Sequence, residues 1–138
     1  QQALTKPVQA NQLLAIVQTY FNIEHMVEEQ FHYQKILDVC NGDPHFAQKM
    51  LDLFIQQTEL DLSELMQHRL ESDKEKIRMI LHRMKSTLGY MGLAEIRQEA
   101  IRLELLSKIE SPKASDIEDF VGALRDKLPM FQKVRALL

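Results

Sequence analysis

The chain has 138 residues with 17 basic and 20 acidic side chains and a formal net charge of −3, room for one domain of ordinary size with a real core. With 45% hydrophobic and 27% charged residues it has neither a disordered nor a membrane-spanning composition, and its acidic balance offers no basic field for nucleic acid. The lone Cys40 cannot form an internal disulfide, and four Gly and four Pro are too few for the turn clusters of β proteins, so the expected fold is all-α.

From the start, Gln1 to Asn11 is too polar for the apolar core of a signal peptide and reads as a cut made in a longer chain. After the Lys6-Pro7 break, Leu13, Leu14, Ile16, Val17, Tyr20 and Phe21 have amphipathic spacing and predict a helix over 11–21. Residues 22–30 read as a looser linker, followed by a short helix with Phe31, Ile36, Leu37 and Val39 that stops at Asn41-Gly42. Asp43-Pro44 is a strong start signal, since Asp caps orphan amides and Pro is tolerated at the first helical position. The helix it opens should run to about Leu70, with Phe46, Met50, Leu53, Phe54, Leu60, Leu65 and Leu70 inward.

Ser72 and Glu75 have capping-box spacing and predict the next helix, with Ile77, Ile80, Leu81, Met84, Leu88 and Met91 inward and Gly92 as its stop. A further helix is expected from Leu93 to about Ile109, using Leu93, Ile96, Ala100 and Leu103, before the break at Pro112. Ser115 and Glu118 repeat the capping-box spacing and open a last helix, which Pro129 should kink. Long amphipathic helices joined by short connections pack most simply as an antiparallel four-helix bundle, here with additional N-terminal helices. The seven Met residues read mainly as gap-fillers of that core.

On the helix from Ser72 to Met91, the apolar residues fall within about 60° of one direction on the wheel, while His82, Lys85, Ser86 and Gly89 form a second stripe roughly 80° to 180° away. A mid-helix Gly costs about 1 kcal/mol relative to Ala, so Gly89 on this stripe predicts a close approach by something else. A neutral His82 imidazole is a nucleophile, Lys85 could neutralise phosphoryl oxygens, and Ser86 could add a hydroxyl hydrogen bond. An ordinary solvated face carrying a surface His has the same pattern.

The stretch Leu81-His82-Arg83-Met84-Lys85-Ser86-Thr87, with Gly92 ten positions after the His and Leu103-Glu104 beyond, resembles the histidine phosphotransfer (HPt) domain over residues 31–138. The resemblance implies a four-helix bundle that takes a phosphoryl group from a receiver-domain aspartate and passes it to the aspartate of another receiver. It makes His82 the phosphoacceptor and Lys85 the phosphate-stabilising residue, with Ser86 standing where the family usually has Gly. Gln57 resembles a polar residue that approaches the histidine from the neighbouring helix in some members. Gly89, with Ile55 and Leu62 on the preceding helix, is expected to complete the docking face. The implied partners are receiver domains of response regulators or of the same parent, which bring the Mg²⁺; the domain itself holds no cofactor and no metal.

Residues 1–21 carry a second resemblance, to the end of a receiver domain, in which a Lys-Pro pair follows the last strand and the last helix comes next. Lys6 would be that lysine. The implied parent is a hybrid sensor histidine kinase, with this fragment cytoplasmic and the parent able to anchor in the inner membrane. A kinase dimerisation domain is rejected because Arg83 follows the His where that family has an acidic residue, and no Gly-rich loop for ATP is visible. The other reading left open is a helical protein-interaction module without phosphoryl chemistry. The five His residues show no usual metal-ligand spacing.

Overall fold

The computed structural model describes the backbone of residues 2–71 and 73–138 and the side chains of residues 11–71 and 73–138. Among the described residues the only regular elements are helices: α1 (Gln2–Val39), α2 (Pro44–Glu71), α3 (Lys74–Tyr90), α4 (Ala94–Ser107), α5 (Ala114–Arg125) and α6 (Leu128–Leu137). The all-α expectation holds.

The N-terminal expectation holds only in part. One continuous α1 contains the helices expected over 11–21 and after residue 30, but it is also helical where the strand end before Lys6-Pro7 and the linker over 22–30 were expected. The physical reason is local. Residues 22–30 contain neither Gly nor Pro, so nothing there interrupts the ladder, and no strand among the described residues offers the segment at Ala3–Pro7 a pairing edge. The Lys6 side chain lies outside the described residues. α1 ends as predicted at Asn41 and Gly42, which take left-handed φ of 54° and 77°, and the Gly42 amide donates to the Leu37 carbonyl at 2.7 Å.

α2 starts as the sequence indicates: Asp43 Oδ1 accepts from the amides of His45 and Phe46 at 3.0 and 3.2 Å. Its buried stripe keeps the expected Phe54 and Leu65, with Met50 against the core, but adds Ala47, Leu51, Thr58, Asp61 and Leu62 and leaves Phe46, Leu53, Leu60 and Leu70 exposed. A small Ala and two polar residues carry part of the core-facing register, so an apolar count misplaces the rest.

α3 is capped by Asp73, whose side chain accepts from the Lys76 amide; the Ser72 of the expected capping box lies outside the described residues. Its inward residues are those expected. Gly92 at φ 75° ends the helix, and the Leu93 amide donates back to the Leu88 carbonyl at 3.0 Å. α5 begins one residue before Ser115, with Lys113 at the cap and no side-chain cap bond, so the second box does not form. Pro129 does more than kink the last helix: the chain breaks at Asp126-Lys127 and Pro129 sits in the first turn of α6, where its missing N–H costs no helical bond.

α3 and α4 form the most extensive helix pair, joined by the short turn at Gly92, while α2 packs on α3, α5 and α6 and the C-terminal part of α1 lies on α6 and α2. Five of the seven Met residues lie in this core or against it, with Met26 and Met79 exposed. No helix among the described residues is long and apolar enough to cross a membrane.

Candidate functional site

Because α3 buries Leu81, Met84 and Leu88, its polar stripe must face outward, and His82, Ser86 and Gly89 are exposed there. The His82 side chain is 66% exposed, whereas Glu104, which α4 places beneath it, is only 6% exposed. His82 Nδ1 lies 3.0 Å from Glu104 Oε1. Lys85 Nζ lies 2.8 Å from Glu104 Oε2, an ion-pair contact without hydrogen-bond alignment. One buried carboxylate thus holds the imidazole and the ammonium one turn apart on α3.

This contact fixes the tautomer by chemistry. A carboxylate accepts only, so Nδ1 carries the hydrogen and donates it, which leaves the Nε2 lone pair pointing away from Glu104. Among the described residues Nε2 has no protein partner. Burial pushes the Glu104 carboxyl up, but Lys85 and His82 together outweigh it and hold the group below the ordinary value of 4.5. The site therefore sets the Glu104 carboxylate against Lys85 Nζ and His82 Nδ1 and leaves the other ring nitrogen of His82 open.

Glu104 was visible in the sequence only through the resemblance. On α4 the buried positions Ile96, Ala100, Leu103, Glu104 and Ser107 follow the core register, so an acidic residue on an inward face was the available signal.

The remaining predicted residues separate. Gln57 does not approach His82: its amide Nε2 donates to Asp61 Oδ1 at 3.1 Å, and Asp61 accepts from Arg83 at 2.5 Å, on the side of α3 that faces α2. These groups border an apolar groove of about 460 Å³ that includes Leu53, Met84 and Tyr90. Leu62 is 0% exposed and belongs to the core, so it cannot dock a partner, and Ile55 is half-buried against that core. The close approach predicted at Gly89 is not made within the molecule, since a Cβ there would meet only the flexible Arg97 side chain, at an ordinary contact distance of 3.4 Å. Ser86 and Gly89 open onto a shallow depression bordered by Phe31, Lys35, Tyr90 and Arg97. Neither Lys35 nor Arg97 has an ion pair among the described residues.

A protein-family model described as Hpt domain matches residues 49–133, from the first turns of α2 to α6. No curated protein and no solved structure matches the chain.

Proposed function

The chain belongs to the Hpt domain family, whose members act as phosphotransfer modules in two-component phosphorelays and interact with receiver domains; from that premise we propose that His82 is the phosphoacceptor. The observation that carries the reading is the exposed imidazole held through Nδ1 by a buried carboxylate. In this reading Nε2 attacks the phosphorus of a receiver's aspartyl phosphate: the N–P bond forms, the O–P bond breaks and the aspartate leaves as a carboxylate. The hydrogen stays on Nδ1. The ring becomes cationic on phosphorylation, and the Glu104 carboxylate beside it stabilises that charge in place. Return of the phosphoryl group to another receiver's aspartate restores the neutral ring.

Lys85 has a double part. Its ammonium pairs with Glu104 in the resting site and is read as a cation for the phosphoryl oxygens. The receiver is read as supplying the Mg²⁺. Its footprint is assigned to Ser86, Gly89 and the depression continuing to Phe31 and Tyr90, where the free cations Lys35 and Arg97 match an acidic protein surface. Donor and acceptor are two different receivers, belonging to a parent hybrid sensor kinase or to separate response regulators.

The test uses a panel of receiver domains charged with acetyl phosphate and mixed with the chain or with His82→Gln. The expected result is an acid-labile, base-stable phosphoryl adduct on the wild type and none on H82Q. Labelling of H82Q, or no adduct on the wild type with any receiver, leaves the interaction-module reading in its place.

A further inference from the structure

On α3, Ser86 stands one turn beyond His82 on the same exposed stripe. At about 100° per residue, Lys85 lies about 60° to one side of His82 and Ser86 about 40° to the other. Lys85 is on the side of α4, where Glu104 holds both its ammonium and His82 Nδ1, so Ser86 is on the side toward which Nε2 is left open. Side chains of a helix lean toward its N-terminus, which carries the Ser86 hydroxyl over the turn that begins at His82.

That hydroxyl is uncommitted. A helical Ser or Thr can donate to the carbonyl four residues back, as Ser107 does to Leu103 at 2.6 Å and Thr19 to Ala15 at 2.8 Å. Ser86 makes no such bond to the His82 carbonyl, nor any other hydrogen bond among the described residues. The Lys85 ammonium, by contrast, is already engaged by Glu104. Of the two residues that flank the imidazole, Ser86 therefore brings the free donor.

We propose that the Ser86 hydroxyl donates a hydrogen bond to an oxygen of the phosphoryl group on His82 Nε2 and so lengthens the lifetime of the phosphohistidine between its two receivers. The inference rests on His82 as the phosphoacceptor. Spontaneous loss of the group breaks the N–P bond while the oxygen of water bonds to phosphorus, leaving inorganic phosphate and a neutral ring. In a loose transition state the electron pair of the N–P bond returns to the cationic ring, so the phosphoryl oxygens lose negative charge on the way. A donor on one of those oxygens is thus bound more strongly before the step than during it, and the step slows.

The full chain is phosphorylated with phosphoramidate, a small donor that needs no docked receiver, and the group on His82 is followed at neutral pH by peptide mass spectrometry once the donor is removed. Ser86→Ala should lose it about tenfold faster than the wild type, the scale of one hydrogen bond to a charged group, and Ser86→Thr, which keeps a hydroxyl, should stay within about twofold of the wild-type rate. Ser86 is exposed, and circular dichroism checks that both variants keep the bundle. Equal lifetimes in the wild type and S86A, or a lifetime in S86T as short as that of S86A, would overturn the proposal. So would an acid-stable phosphoryl group on Ser86, which would make the hydroxyl an acceptor of phosphorus instead of a hydrogen-bond donor. No phosphoryl group on His82 of the wild type, from phosphoramidate or from any charged receiver, would instead overturn the reading of His82 on which the proposal rests, and the proposal with it.

Discussion

At the residue scale, the account turns on Glu104. It is buried, it touches both His82 and Lys85, and its ionised form is favoured by both. Glu104→Gln keeps the shape but removes the charge that stabilises a cationic ring, so phosphoryl transfer to His82 should slow by about tenfold, equivalent to about 1.4 kcal/mol of barrier. Initial rates from a fixed phosphodonor at neutral pH check this, and an unchanged rate would remove Glu104 from the mechanism. The outward stripe that carries His82, Lys85 and Ser86 was legible in the sequence because α3 separates its apolar and polar faces cleanly. Gln57 and Leu62 were misread because α2 does not. Its apolar residues lie on more than one face, and only packing decides that Leu62 turns in while Leu53 turns out. Leu62→Ala should accordingly cost about 2–5 kcal/mol in urea denaturation. Leu53→Ala, at an exposed position, should stay within about 0.5 kcal/mol.

At the element scale, the helix starts and stops that carry special backbone chemistry were the readable ones. Asn41-Gly42, Asp43-Pro44 and Gly92 each mark an end by a left-handed φ or a side-chain cap that other residues supply poorly. Asp43→Ala should lower stability by about 1 kcal/mol, measured by denaturant midpoint. The Ser115/Glu118 spacing before α5 was a weaker signal, because Lys113 opens α5 without a side-chain cap. Two parts of α1 were legible from their apolar spacing, but its continuity through residues 22–30 was not, because the lack of Gly and Pro there permits a helix without requiring one.

At the scale of the whole molecule, the bundle is tied to α1 by His32. Its Nδ1–H donates to the Met91 carbonyl at 2.9 Å, and its ring stands edge-on to Phe31 and Phe131. Burial pushes the His32 pKa below its ordinary value of 6.5, against the opposing effects of the Met91 carbonyl and Glu28. A depressed histidine pKa means that the unfolded chain takes up the proton first, so stability falls as the pH drops through 6.5 towards the folded value. Glu104, depressed below 4.5, adds a second loss at still lower pH. Denaturation midpoints taken across this range should fall in wild type from about pH 6.5 downward. His32→Gln should lose the upper part of that slope, and retention of the full slope would place its origin elsewhere.

The central claim is that Glu104 holds Nδ1 so that Nε2 of His82 is the reacting atom. It is tested most directly by nitrogen-resolved NMR of the phosphorylated chain, which distinguishes the two ring nitrogens. The account predicts a phosphoryl group bonded to Nε2 of His82 with the hydrogen retained on Nδ1. A phosphoryl group on Nδ1, or on any other side chain, would contradict it.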